Sequence, residues 1–286
     1  TQPRLGQELL APAGASTAAP GEALLLARQQ AAQLPPPVSG WLLALTGDGS
    51  AQLTRQAQAQ VDAKVAQSIA QVCGQFVDGR YPFDATAKAD IPVQNFAELF
   101  GYGGRFDTLY RETLAAQLDT SGVRWQWKDA ASPAASDPAL PRHMQQADVI
   151  KRKYFRQGNQ PEVGFTLLAP ELEEGVSRLD IDIDGQQYNY QEGAQPSMPM
   201  KWPGPTPGRV SFTAFDAAGK RLGGVVYLGD WAFFRALQAS QLRAETDLRY
   251  VATVDIEGHR ATLPLQAANL RHPFLDGDVG QFRCGS

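Results

Sequence analysis

Cysteine is scarce in this chain: Cys73 and Cys284 are the two present in 286 residues. That rules out a Cys-x-x-Cys motif and leaves two arrangements open, a pair of buried thiols or one long-range disulfide. Histidine is equally sparse. His143, His259 and His272 stand in three separate segments, a poor set for holding a metal. Basic residues are not in surplus; the net charge is −4, the wrong sign for the basic stripe of a nucleic-acid binder. Long apolar runs are missing too. The densest, ALLLA at 23–27, falls far short of the ~20 residues a membrane helix needs. There is no signal peptide and no starting Met, so the chain reads as an excised soluble piece whose targeting segments lie elsewhere. HExxH, the P-loop and GxSxG on a strand-turn-helix are all absent.

The content that remains is that of a soluble globular protein, 43% hydrophobic and 20% charged, and long enough for two ordinary domains. The expected fold class is α+β, with an N-terminal helical subdomain followed by a C-terminal antiparallel β-sandwich. Residues 1–157 carry helical spacing, with 1–20 loose. Val61, Val65, Ile69, Val72 and Phe76 recur at steps of three and four, which predicts a helix over 51–78. DIPVQNFAELFG predicts a short helix with Pro92 near its first turn, and GRFDTLYRETLAAQLDTSG another. SDPALPRHMQQADVIKRKYFRQG opens on Asp-Pro, a cap followed by proline at the first helical position, and stops at Gly158.

From residue 158 to 286 the rhythm changes to two. LDIDIDGQQYNY at 179–190 poses a choice, since Asp180, Asp182, Asp184 and Gly185 match the first half of an EF-hand loop. The twelfth position of such a loop would be Gln191, with Glu192 one place late, and the flanks alternate rather than spiral. Asp184–Gly185 is instead a strong two-residue hairpin turn, setting Ile181 against Tyr188 and Leu179 against Tyr190, with the aspartates on the wet face. Glu257–Gly258 predicts a second such turn, pairing Val254 with Ala261, Ala252 with Leu263 and Tyr250 with Leu265. Pro264 places the second strand of that hairpin at a sheet edge. GDWAFFRALQAS reads as one short helix near 230–240, capped by Asp230. About seven short strands with turn signals point to a sandwich or open barrel.

Few residues suggest chemistry. GYGGRF at 101–106 lacks the third glycine of a dinucleotide loop and reads as a hinge between helices. Glu171, Glu173 and Glu174 could supply a hydrolytic carboxylate, but nothing in the sequence raises their pKa. Lys151, Arg152, Lys153 and Arg156 form a basic helix face, either solvated surface or a contact for an acidic partner. MPMKWPGPTPG at 198–208 holds four prolines and cannot be regular structure throughout. Its Trp202 is either a lid over one end of the sandwich or a pre-organised partner contact.

Eight blocks, in order, resemble a known family. VCGQFVDGRYPF, DIPVQNFAELFGYGGRFDTLY, ADVIKRKYFRQG, IDGQQYNY, KWPG, GDWAFFRAL, HPF and FRC are similar to the C-terminal periplasmic region of the TssM (IcmF) family of the bacterial type VI secretion system. The resemblance runs from about Leu34 to Cys284. His272 stands where the family usually has Asn, Gly285 where Pro follows the cysteine, and Asp230 where Pro is common. The family resemblance implies a periplasmic structural role without a catalytic residue, cofactor or metal. The same resemblance implies that the module joins the inner membrane to the outer-membrane lipoprotein TssJ, with TssL and further TssM copies as partners and no nucleic acid or small-molecule substrate. A periplasmic location would also suit a Cys73–Cys284 bridge. The alternative is a carbohydrate- or peptidoglycan-binding sandwich that stacks sugars on Trp202, Trp231 and Tyr188.

Overall fold

The computed structural model describes residues 71–129, 137–194, 197–275 and 277–282 continuously, and a few positions between 26 and 69. The chain divides into two units, Thr1–Val65 with Ser132–Ser136, and Ala66–Ala131 with Asp137–Ser286. All elements named below belong to the second unit, so the change of rhythm near 158 falls inside it. Residues 1–20 and most of the helix expected over 51–78 lie outside the described residues; its end is described, as a π-helical turn at Cys73–Val77.

Helix α1 (Val93–Phe100) buries Phe96, Ala97, Leu99 and Phe100. Helix α2 (Arg105–Leu109) runs on into a second π turn, Tyr110–Leu114. The helix expected to continue through Leu118 stops there. Asp119 takes the backbone N–H and hydroxyl of Ser121 at 3.0 and 2.7 Å, a turn that competes with helix, and a small ribbon forms from β1 (Leu118–Asp119) and β2 (Gln126–Trp127). Helix α3 (Leu140–Tyr154) follows. Asp137 accepts the Ala139 and Leu140 N–H groups at its start, and Met144, Ala147, Ile150 and Tyr154 form its buried stripe.

The remainder is antiparallel sheet with two short helices. In chain order the strands are β3 (Val163–Leu167), β4 (Glu171–Leu172), β5 (Arg178–Ile183), β6 (Gln186–Gln191), β7 (Met198–Trp202), β8 (Arg209–Phe215), β9 (Arg221–Leu228), β10 (Arg243–Ala244), β11 (Arg249–Ile256) and β12 (His259–Ala267). Helix α4 (Ala232–Ala239) precedes β10, and α5 (Asp278–Gln281) follows β12. One sheet has the order β10-β11-β12-β3-β7, with β4 also paired to β12; the other runs β6-β5-β8-β9. Leu167, Ala252, Val254, Leu263 and Leu265 of the first sheet face Ile183 and Phe212 of the second around an internal gap of about 20 Å³.

Both tight turns have the expected register, with Ile181 opposite Tyr188 and Val254 opposite Ala261. Each central pair has positive φ: 51° and 81° at Asp184–Gly185, 55° and 93° at Glu257–Gly258. Three expectations need correction. Pro264 is not on an edge strand, because β12 lies between β11 and β3. It sits where β12 changes partner from β4, which ends its pairing at Thr262, to β3, which begins at Leu265, so no ladder bond misses the absent N–H. Residues 198–202 are a regular strand, since Pro199 turns its nitrogen to the open side of β7. Asp184 is fully buried rather than on the wet face.

Candidate functional site

Asp184 explains its own burial. Its carboxylate accepts the backbone N–H groups of Gly204 at 3.3 Å, Gly208 at 3.0 Å and Arg209 at 3.3 Å, and its carbonyl accepts that of Thr206 at 2.9 Å. One residue thus pins the loop that follows β7. Burial pushes the Asp184 carboxyl above the ordinary aspartate range, and the three N–H groups pull against that shift. Gln186, two residues on, grips the strand itself. Its amide nitrogen donates to the Ile183 and Lys201 carbonyls at 3.0 and 2.7 Å, and its oxygen accepts the Lys201 N–H at 3.0 Å. With Pro199 lacking an N–H and Lys201 occupied, the outer edge of β7 offers no free donor at either position. At Gly185 the φ is 81°, and a Cβ would lie 2.7 Å from Thr206 Oγ1.

Trp202, at the end of β7, is 0% exposed. Its ring centroid lies 4.7 Å from Trp231 and 4.8 Å from Phe234, and its indole N–H donates to the Asp230 carbonyl at 3.2 Å. Burial of two indoles with both N–H groups paired is the arrangement that a large amphipathic ring requires. The second indole N–H, that of Trp231, donates to Ile91 O at 2.7 Å. A side chain without surface cannot contact a partner directly, so Trp202 is placed inside the body and not on a docking face.

Around these rings the α1 segment and the α4 segment cap one another. Asp230 was expected to cap its own helix; instead its Oδ2 accepts the Val93 N–H at 2.9 Å, at the start of α1. Asp90, just before α1, accepts the Trp231 N–H at 3.3 Å at the start of α4. Both carboxylates therefore meet the positive end of the other segment's helix. Arg235 closes the exchange, donating to Asp90 from Nε at 3.1 Å and Nη2 at 2.5 Å and to Ala87 O at 3.1 Å, with its guanidinium 4.1 Å from the centroid of the Tyr81 ring. At Gly229, φ is 105° and a Cβ would fall 2.3 Å from Asp90 Oδ2, so the approach of the two segments needs glycine there. Phe96 packs among Phe100, Tyr154, Phe155 and Trp231 at centroid distances of 5.0 to 5.8 Å.

Six of the blocks that carry the family resemblance converge here: VCGQFVDGRYPF through Tyr81, DIPVQNF, ADVIKRKYFRQG through Tyr154 and Phe155, IDGQ, KWPG and GDWAFFRAL. HPF packs next to them, with Phe274 6.0 Å from Phe165 and Phe233. His272, in that block, is buried; its Nε2–H donates to Asp247 O at 3.1 Å and its Nδ1 accepts the Phe274 N–H at 3.3 Å. His259 is paired rather than merely solvated, its Nδ1 lying 2.9 Å from Glu173 Oε1. Among the described residues no group of three or more His, Cys, Asp or Glu side chains is placed to hold a metal ion. Cys73 is 3% exposed and is disulfide-bonded; Cys284 lies outside the described residues. Sequence reasoning missed Asp90 and Arg235, and read Asp184 and Gln186 only as turn and family motif.

Known proteins resemble this chain at two levels, a family model over part of it and relatives over most of it. Residues 165–269, from β3 to just past β12, match the family described as the Type VI secretion protein IcmF C2-like domain. Over nearly its whole length the chain is similar to a TssM component. It is 29% identical over 281 residues to the Type VI secretion system component TssM1 of Pseudomonas aeruginosa, covering 97% of this chain and 25% of that protein. The chain thus spans about a quarter of the curated relative's length. Among solved structures, the T6SS protein TssM C-terminal domain from EAEC shares the fold, with a TM-score of 0.64 at 19% identity, covering 80% of this chain and 96% of that one. A chain of a Type VI secretion system membrane core complex gives a TM-score of 0.66 at 20% identity, covering 92% of this chain and 56% of its own. Among the described residues no helix is long and apolar enough to cross a membrane.

Proposed function

We propose that this chain is a structural module of the type VI secretion membrane complex, a periplasmic body that links the inner-membrane anchor of a longer protein to the outer-membrane lipoprotein TssJ. Further TssM copies are its neighbours, and TssL is reached through the rest of the protein. The observation that carries this reading is the 29% identity to a TssM component sustained over 97% of the chain. The half-buried exchange between Asp90, Asp230, Trp231 and Arg235 supports it physically. A module that transmits force between membranes gains from helices and sheets held by shared caps and rings. The arrangement expected from the sequence, a helical part leading into a β-sandwich, suits such a body. In the same reading Cys284 is the disulfide partner of Cys73, tying the end of the chain to the helical part in an oxidising compartment.

The sugar-binding alternative loses its stacking planes, because Trp202 and Trp231 are 0% exposed and Tyr188 is 5% exposed. Co-purification tests the proposal: the chain, mixed with soluble TssJ from the same organism, should elute as a complex. Separate elution of two folded proteins would remove the linking role.

A further inference from the structure

One surface feature is not used by the capped core. A cleft of about 920 Å³ opens where the end of α3 meets β7 and the segment after β12. Five cationic side chains line it, Arg152, Lys153, Arg156, Lys201 and Arg271, against the single carboxylate of Glu162. The concentration of positive charge is local, since the chain as a whole carries −4. Arg152 pairs with Asp148, Lys153 with Asp278, and Arg156 with Glu162 at 3.4 Å. Lys201 and Arg271 are exposed, and among the described residues neither has an ion-pair partner. The Lys201 backbone is fixed by Gln186 and that of Arg271 by Asn269 Oδ1 at 2.8 Å, so the two free charges stand on held main chain.

From this geometry we infer that the cleft binds an acidic peptide segment of a partner protein. Two features favour peptide over a phosphate group. Gln157, Gln160 and Asn269 line the cleft with carboxamides, which both donate and accept, as a peptide backbone does; a phosphate needs donors alone. The rim also carries apolar surface, Leu270 being 69% and Tyr102 41% exposed, which suits apolar side chains interleaved with acidic ones. The volume falls within the ~300–1,000 Å³ range of built ligand sites. The basic face of α3, singled out in the sequence, supplies Arg152 and Lys153, and Arg156 follows just past its end. This inference stands apart from the secretion reading, because it rests on the chemistry of the cleft and not on relatedness.

Fluorescence anisotropy with a fluorescein-labelled octapeptide of alternating Glu and Leu tests it on the chain. Saturable binding is expected, weakening as salt is raised. Lys201→Ala and Arg271→Ala should each lower affinity about tenfold, the loss of one charge-assisted contact. Lys220→Ala, an exposed cation elsewhere, should leave it unchanged. Circular dichroism of each variant establishes that the fold is retained. The inference is overturned if the folded chain shows no saturable binding, or if the Lys201→Ala/Arg271→Ala double variant binds as tightly as the parent. It is also overturned if orthophosphate or phosphatidylglycerol vesicles occupy these residues and the acidic peptide fails to displace them.

Discussion

Replacing Asp184 by alanine should be among the most damaging single changes in the sheet region. The substitution leaves the N–H groups of Gly204, Gly208 and Arg209 without their acceptor. An N–H bonded to a carboxylate contributes about 1.5–3 kcal/mol at good geometry. Two of these three are 3.3 Å long, and the desolvation that raises the carboxyl pKa offsets part of the gain, so about 1 kcal/mol each is the fitting figure. Alanine must also adopt the φ of 51° at that position, at a cost of about 1 kcal/mol. The net loss is about 3–4 kcal/mol, a fall in Tm of about 6–16 °C for a unit of this size. Asp184→Asn keeps one acceptor oxygen and tolerates the left-handed region, so about 1 kcal/mol should be lost. Thermal unfolding followed by circular dichroism gives the magnitudes. Hydrogen exchange gives the location: the amides of Gly204, Gly208 and Arg209 should exchange faster than the rest of the sheet. An alanine variant with a Tm within about 2 °C of the parent would refute the loop-pinning role.

Further outcomes follow from the same contacts. Gly185→Val should cost more than about 2 kcal/mol, because a β-branched residue meets both a φ of 81° and Thr206 at 2.7 Å; a denaturant midpoint equal to the parent's would show otherwise. Asp107 feels burial pushing its pKa up, but the Lys151 hydrogen bond, the Gly103 N–H and the charges of Lys151 and Arg111 outweigh it and hold the carboxyl low. A lowered folded pKa adds stability above the ordinary aspartate range and loses it as pH falls. Asp107→Asn should therefore have the lower Tm at neutral pH and the shallower decline below about pH 4, measured by a pH series of melts. If Cys73 pairs with Cys284, reduction should lower the parent Tm by up to about 5 kcal/mol worth of stability in the chain-entropy model and leave Cys73→Ser unmoved; equal responses to reductant would exclude the pairing.

Local chemistry was readable in the sequence and distant partnership was not. The turns at 184–185 and 257–258 announce themselves within a few residues, because Asp-Gly and Glu-Gly supply positive φ between strands whose apolar faces match. Helix α3 was legible for the same reason, with Asp137 at its start and a buried stripe at helical spacing. Asp230 shows the limit. It stands where a cap should stand, and it does cap, but the helix it serves begins 137 residues earlier at Val93. Asp90 answers from the other side across 141 residues to Trp231. Pro264 misled because a proline's missing donor signals an edge only when one strand runs unbroken alongside; here the neighbour changes from β4 to β3 at that residue. Trp202 could be placed either way, since nothing local reveals that Trp231, Phe234 and Tyr154 gather around it.

The most direct measurement is a calorimetric titration of the chain with purified soluble TssJ. A saturable heat of binding, with near-ultraviolet circular dichroism of the tryptophans unchanged, is the outcome expected of a rigid body docking through its surface. A flat titration with both proteins folded would contradict the role as a link between membranes.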